Sequence, residues 1–448
     1  MKLNKFTFAL AALGVISMAG VTLANTTVYL TGSTAARSII DAAAQASGQI
    51  FTGAGTVVKG SASSGLVVYE GSISGVTGLV DLNCSWTGSE AGIAAVAGQN
   101  LTQNVNGGNY ALPGVPPSFL DPTTTPAYSA TNTLAVITGI PTATPDLSMA
   151  DTSQAVSLTK VSTYQCTDYG IVGVVPFLVE KGYSSTPDSS WTDLVNVTIP
   201  QLAAVVSGPQ PASYFTGSAG DTDQVAICGR NEGSGTRVNT LLNYGVSLTA
   251  TLDQFAFDAT YPAATPGVLT KGSNYGIGTA LVETLNDGFD SGSGVQKCMN
   301  VDQHGSGYVL IGYVGVSDGQ NAVNPAKAAV ASQLATPLPF AGVYESDSGV
   351  ENGSYTYWGS EHLLGHKTGS ITPAAAAVAA AIKSGIMAQM TFANDGLATG
   401  SFATLPGTAA THTVPGTGAL GQSVLIPTTL MNVTRGSLDY GYPTPGSF

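Results

Sequence analysis

The chain has 448 residues, of which 43% are hydrophobic and only 9% charged, against about 25% charged in an ordinary soluble domain. Glycine supplies 56 residues, one in eight, without a period of three, which excludes collagen; the apolar content excludes an acidic disordered chain, and the length allows two or three domains with real cores. A formal charge of −13 argues against a nucleic-acid binder, because affinity for a phosphate backbone comes from clustered Lys and Arg.

Residues 1–24 read as a secretory leader. Lys2 and Lys5 form a positive start, Phe6 to Val21 is mostly apolar, and the stretch ends in Thr22-Leu23-Ala24 with a small residue at the cut. The alternative, a membrane anchor, has barely the length to span and lacks a stop-transfer flank. Cleavage after Ala24 removes two of 14 basic residues and leaves 27 acidic ones, a charge of −15. With no cysteine at the cut, lipid attachment is not expected, and the chain is expected in the periplasm or outside the cell. Four cysteines remain, Cys84, Cys166, Cys228 and Cys298. An even count in an exported chain favours disulfides, with three pairings open, and no CxxC spacing supports a metal or redox site.

Thr27–Leu30 is a short β-rich run that ends in Thr31-Gly32-Ser33-Thr34 and leads into a helix over Ala35–Ala46, with Arg37 and Asp41 outward. The same strand, turn and helix recur at Leu79–Trp86, Thr87-Gly88-Ser89 and Glu90–Ala97, and again where Gln224–Cys228 leads through a glycine-rich turn into Thr236–Tyr244. This alternation predicts an α/β protein with helices packed on sheets. Residues 100–145 break it with Asn, Thr, Gly and seven prolines between Pro113 and Pro145, as a long surface insertion would. Gly170–Val179 and Ile311–Val316 are apolar, β-branched runs suited to a buried sheet. Thr372 before Pro373 starts a helix that the Ala-rich segment carries to Met390; from Ala398 onward the chain reads as strands and loops.

Each of the three units presents a small hydroxyl residue in a glycine-rich turn at a helix N-terminus, where unpaired N–H groups and a partial positive charge suit an anion. Any one of them could be an ordinary N-cap; three together point to a site. The third turn, Arg230-Asn231-Glu232-Gly233-Ser234-Gly235-Thr236, adds a guanidinium that can give an oxyanion two parallel hydrogen bonds, and glycines that let backbone approach closely.

This turn resembles the signature of the periplasmic phosphate-binding proteins of ABC transporters: an Arg, two variable residues, then Gly-Ser-Gly-Thr. Leu30-Thr31-Gly32-Ser33-Thr34-Ala35 is similar to that family's first anion-binding turn and Trp86-Thr87-Gly88-Ser89-Glu90-Ala91-Gly92-Ile93 to its second. Asp146-Leu147-Ser148-Met149-Ala150-Asp151 is similar to the stretch that supplies the acidic ligand residue. Ile199–Gly208 is similar to the helix before the second lobe's sheet, and Ile311-Gly312-Tyr313-Val314 to the strand that returns between lobes. Together the motifs bracket residues 28–319. The resemblance implies the α/β, two-lobed type II binding-protein fold, each lobe a mixed sheet flanked by helices, with the ligand cleft between. Lobe one would hold 25–175 and 320–448, and lobe two 176–319.

The resemblance further implies Thr34 and Ala35 as donors from the first turn, Ser89 from the second, Asp151 from the edge of lobe one, and Arg230, Ser234, Gly235 and Thr236 from lobe two. With lobes so divided, Cys84 pairs with Cys166 and Cys228 with Cys298. Glu90 stands where the family has a small residue, which sets a carboxylate beside the second turn. The implied partners are inorganic phosphate and an ABC transporter permease, with a monomeric chain and no cofactor. Asp151 suits phosphate because that anion keeps a proton at neutral pH and can donate it to a buried carboxylate. Sulfate has none to give, and the unpaired contact costs at least about 1–3 kcal/mol.

Other readings exist. Gly315-Val316-Ser317-Asp318-Gly319 spells GxSxG, but an elbow needs a helix after the strand, Gln320–Pro325 is a poor helix start, and His304, His362, His366 and His412 lack a partner motif; a Ser hydrolase is thus a remote alternative. Glu361-His362-Leu363-Leu364-Gly365-His366 sets two histidines at i and i+4, but the Glu precedes the first His and Gly365 weakens a helix, so they read as surface or loop residues and no metal is expected. A secreted or surface structural or adhesion protein on a binding-protein scaffold also suits few charges and a long insertion.

Overall fold

The computed structural model describes residues 25–60, 65–97, 101–105, 108–112, 119–120, 142–157, 166–257, 281–285, 288–289, 291–326, 328, 330–366, 371–394, 399–400, 412–413, 425–426, 428, 431–435 and 444–445. The expected leader (1–24) and most of the expected insertion (100–145) lie outside them.

β1 (Thr26–Gly32) is flanked by two parallel neighbours, β4 (Val80–Ser85) and β7 (Leu147–Ala150). Parallel pairing needs crossovers, and they are supplied by α1 (Arg37–Gln45) and α2 (Ser89–Ala97). β2 (Thr56–Gly60) and β3 (Leu66–Gly71) add an antiparallel edge beyond β4. Within the proline-rich stretch β5 (Leu101–Val105) and β6 (Gly108–Leu112) pair as a hairpin. Further along it, Phe119 packs its ring 4.7 Å from that of Tyr29, and the Leu120 carbonyl accepts from Asn83 Nδ2.

β8 (Thr167–Lys181) is the longest strand, at 15 residues, or about 50 Å at roughly 3.3 Å per residue. Such a reach lets it serve two halves of one sheet. Further on in the chain, α3 (Ser189–Asp193), α4 (Ile199–Val206), β9 (Gln210–Pro211) and α5 (Ala212–Thr216) lead to β10 (Gln224–Cys228) and α6 (Gly235–Tyr244). There follow β11 (Gln254–Phe257), β12 (Leu281–Leu285), α7 (Gly292–Met299), β13 (Tyr308–Gly315), α8 (Val316–Val323) and β14 (Thr336–Leu338). α9 (Asp347–Asn352), β15 (Trp358–Gly365) and α10 (Pro373–Asn394) return the chain to the first half.

The sheet runs β12-β11-β10-β13-β8-β15-β7-β1-β4-β3-β2, with β14 on β8 and β9 on β10. The first part of β8, Thr167 to Pro176, pairs with β15, whereas Phe177 to Lys181 pair with β13, and Val179 to Lys181 with β14 as well. Helices cover both faces, so β15, most of β13 and the last ten residues of β8 are buried continuously instead of in alternation. The result is a mixed α/β fold with a large mixed sheet flanked by helices, as the sequence predicts; the two halves share β8 and form one hydrogen-bonded sheet.

Local signals hold up where they are strong. α4 starts on a capping box, Thr198 with Gln201, with Pro200 in its first turn. Ahead of α10, Thr372 Oγ1 accepts from the Ala375 amide at 3.1 Å. Val316, expected to end a strand, instead opens α8.

The cysteines correct an expectation. All four are free thiols, so neither Cys84–Cys166 nor Cys228–Cys298 is bridged. Cys84 belongs to the main core cluster with Leu30, Val67 and Leu82, while Cys166 packs on a separate cluster of Ile93, Ala150 and Leu364. Cys228 and Cys298 do meet: their thiols hydrogen-bond each other, and burial first, then that contact, pushes Cys228 well above the usual thiol range. They pack as small apolar side chains beside Phe257 and Phe289.

Candidate functional site

Asp151 is placed by β7, one residue past the strand's end, and is 2% exposed. Its Oδ1 accepts from Ser89 Oγ at 2.5 Å and its Oδ2 from Thr236 Oγ1 at 3.3 Å. Ser89 opens α2 in one half of the sheet, and Thr236 lies in the first turn of α6 in the other. One carboxylate therefore draws hydroxyls from both halves. The Asn239 side chain, one turn further along α6, donates to the Asp151 carbonyl at 2.6 Å and fixes the strand end. Burial pushes the Asp151 carboxyl above its ordinary range, while the Ser89 hydroxyl, the Arg230 guanidinium and the Thr236 hydroxyl pull it back.

The turns themselves touch. The Gly88 amide donates to the Gly32 carbonyl at 2.9 Å, joining the first turn to the second, and the Glu90 amide donates to the Gly233 carbonyl at 3.2 Å, joining the second to the third. Three glycines make the approach feasible. Gly32 and Gly88 have φ of +111° and +98°, a region open to glycine and strained for other residues. A Cβ on Gly235 would lie 1.7 Å from Asp151 Oδ1 and 2.7 Å from Ser89 Cβ.

Arg230 is 3% exposed and locked from several sides. Its Nε donates to the Phe289 carbonyl at 3.2 Å, its amide donates to the Tyr313 hydroxyl at 2.9 Å, and its carbonyl accepts from Arg237 Nη1 at 3.3 Å. Tyr313 in turn donates to Gln254 Oε1 at 2.9 Å. The guanidinium acts on two carboxyls, Asp151 and Asp318 at the start of α8, drawing both downward against the rise that burial causes. Ser234 caps α6, accepting from the Arg237 amide at 3.3 Å. The Gly235 and Thr236 amides fall within the first turn of α6 and have no intrahelical partner.

Of the residues singled out in the sequence, the contacts bring Ser89, Asp151, Arg230, Gly235 and Thr236 around one point, with Ser234 at the head of α6. Thr34 and Ala35 stand in the turn between β1 and α1, next to Ser33, half-buried, and make no direct contact with Asp151 among the described residues. Glu90 does not enter the space between the turns. Its carboxylate accepts from Thr152 Oγ1 at 2.7 Å and Ser157 Oγ at 2.5 Å.

Two further residues come from β15, which the sequence reading placed in a loop. Glu361 is fully buried and accepts from Ser33 Oγ at 3.2 Å through Oε2. His362 is not a surface residue: it is 4% exposed in the middle of the sheet, and its Nδ1 lies 3.0 Å from Asp168 Oδ2. In a strand, residues four apart lie about 13 Å from each other, so His362 and His366 do not form an i, i+4 metal pair. Among the described residues no group of three or more His, Cys, Asp or Glu side chains could hold a metal ion. The signal that could have exposed β15 is its all-apolar flank, Leu363-Leu364, between Trp358 and the helix at Pro373. At the GxSxG spelling the strand and a helix are both present, since α8 begins at Val316; His304 and His362, however, are engaged elsewhere, with the Thr186 carbonyl and Asp168.

The fold and the turns define a class: a mixed α/β protein whose two half-sheets share one long strand and whose glycine-rich turns converge on a buried Asp that also feels the charge of a buried Arg. No protein-family model matches the chain, and no curated protein does. Solved structures do. A phosphate ABC transporter substrate-binding protein with bound phosphate from Clostridium perfringens is 14% identical, covering 81% of this chain and 97% of its own, with a TM-score of 0.42. An ABC-type phosphate transport receptor from Vibrio cholerae is 14% identical over 80% of this chain and 93% of its own, at 0.39. PstS from Borrelia burgdorferi is 12% identical over 83% and 95%, at 0.36.

Proposed function

We propose that this chain is an exported, non-catalytic binding protein that captures inorganic phosphate between its two half-sheets and hands it to an ABC-type transporter. The observation that carries the reading is the shared carboxylate: Ser89 from one half and Thr236 from the other hydrogen-bond the two oxygens of Asp151, with the Arg230 charge beside them. The same groups can serve a tetrahedral oxyanion. Arg230 and the α6 amides at Gly235 and Thr236 supply positive ends, Ser89, Ser234 and Thr236 supply hydroxyls, Thr34 and Ala35 add the first turn's amides, and Asp151 accepts the anion's own proton. In this reading 25–175 with 320–448 form one lobe and 176–319 the other, the boundary falling within β8. No helix among the described residues is long and apolar enough to cross a membrane, in keeping with a chain that works outside the membrane.

Calorimetric titration of the purified chain with phosphate, arsenate and sulfate tests this directly. Phosphate and arsenate should bind and sulfate should be rejected. Arg230→Ala should weaken phosphate by at least tenfold, the loss of one charge-assisted contact. Asp151→Asn should weaken phosphate and narrow the gap to sulfate. Unchanged phosphate affinity in Arg230→Ala would remove the site as drawn.

A further inference from the structure

We propose that Glu361 is a second, neutral carboxylic acid of the anion site, held protonated against the ionised Asp151, and that its ionisation weakens the binding of oxyanions. The inference deepens the phosphate reading and its binding arm rests on that reading.

The placement comes from strand register. β15 and β7 run antiparallel with His362 opposite Ala150 and Leu363 opposite Met149. Glu361 stands one residue beyond the last pair of this ladder, at a step where β15 is irregular against β8, and Asp151 stands one residue beyond β7. Both carboxyls are buried at this end of the two strands, close enough for the Asp151 charge to act on Glu361. On its other side Glu361 is paired with Gly173 of β8, which brings no side chain.

The partners of the two acids differ. Asp151 has the Ser89 and Thr236 hydroxyls and the Arg230 charge. Glu361 has one hydroxyl, from Ser33, on Oε2; its Oε1 is buried without a hydrogen-bond partner among the described residues. The charged groups around it are few. Asp151 faces it from the end of β7, and His362 adjoins it on its own strand, bound to Asp168 of β8. α2 contributes Glu90, which is turned away to Thr152 and Ser157; α1 contributes Arg37, which acts on Asp318 and Tyr69; and α10 contributes Lys383, which binds the Tyr169 carbonyl. Two buried carboxyls side by side do not both ionise, and the proton stays on the one with the poorer set of donors. Burial and the Asp151 charge push the Glu361 carboxyl well upward, against the smaller downward pull of Ser33 and His362.

With Glu361 neutral, an incoming anion meets one carboxylate beside Arg230. With Glu361 ionised it meets two, and binding weakens. Because phosphate itself titrates, the informative quantity is a ratio. Phosphate affinity of the full chain should be measured by calorimetry from acidic to alkaline pH for the natural protein and for Glu361→Gln, which copies the neutral acid in shape. The two should bind equally at acidic pH. At alkaline pH the Gln variant should bind tighter by roughly tenfold, the ratio produced by one pKa unit of coupling between ionisation and binding. A ratio that stays constant with pH overturns the proposal. Difference infrared spectra of the ligand-free proteins give a second readout: the natural protein should show a protonated-carboxyl band at neutral pH that Glu361→Gln lacks, and the absence of that difference also overturns it. If neither protein binds phosphate at any pH, it is the phosphate reading that falls, and the infrared band alone then decides whether Glu361 is a neutral acid. Equal unfolding midpoints at acidic pH establish that the variant folds.

Discussion

Glu180, on the shared strand β8, is fully buried, and neither of its carboxylate oxygens has a hydrogen-bond partner among the described residues. Burial, with the Asp318 charge added, pushes its carboxyl well above the ordinary range. A raised folded-state pKa means that folding favours the protonated form. The stabilising contribution is therefore complete below the unfolded pKa and is lost as pH rises through the folded one. Glu180→Gln keeps the shape and removes the titration. It should leave the unfolding midpoint unchanged near pH 4 and raise stability by about 1–3 kcal/mol at alkaline pH, the range for a buried group left without a partner. Thermal melts of both proteins across pH measure this; a variant that is less stable than the natural chain at every pH would show that Glu180 has a partner it needs. Glu361 and Glu345 carry the same sign, since burial raises both, so the natural chain should lose stability toward alkaline pH through all three.

At the scale of elements, the three strand–turn–helix units were legible because their signals are local. A glycine, a hydroxyl and a helix start lie within a few residues of one another, and the helices begin within a residue or two of the predicted places. Asp151 was singled out only through the resemblance of residues 146–151 to a family's acidic stretch, since by itself an Asp after a short strand reads as a cap. β15 was not legible. A central strand covered on both faces has no alternation to reveal it, and the bond between Ser33 and Glu361 joins residues 328 positions apart. The Cys84–Cys166 pairing failed for a related reason: membership of one lobe says nothing about membership of one core cluster, and the two sit in different clusters, whereas Cys228 and Cys298 share a cluster and stay as thiols.

The α6 turn can be tested by two adjacent substitutions with different effects. Ser234→Ala removes the cap on the Arg237 amide and should cost about 1 kcal/mol of stability, read as a lower denaturation midpoint. Gly235→Ala places a methyl group where Asp151 Oδ1 and Ser89 Cβ already lie. Its effect should fall on the meeting of the turns, with phosphate affinity down at least tenfold and far-UV circular dichroism unchanged. If Gly235→Ala binds phosphate as the natural chain does, Ser89, Asp151 and α6 do not come together in the bound state.

At the scale of the whole molecule, the acidic charge of −13 and the anionic ligand set two effects against each other. Exposed carboxylates repel an approaching anion over long distance, but salt screens such charges beyond about 8–10 Å at physiological ionic strength. Inside the site, Arg230 and the α6 amides act at contact range, and Arg230 is 3% exposed, so added salt reaches them poorly. The two effects separate in the kinetics. Raising ionic strength from about 10 to 150 mM shortens the Debye length from roughly 30 to 8 Å and should accelerate phosphate association, because like-charge repulsion during encounter is what it weakens. Dissociation should change little, since it breaks short contacts in a buried site. Affinity should then rise modestly with salt, the reverse of what an exposed basic patch would give. Stopped-flow association with an inert salt measures both rates, and an association rate that falls as salt rises would mean that the anion is drawn in by an exposed positive surface and not by the buried turns.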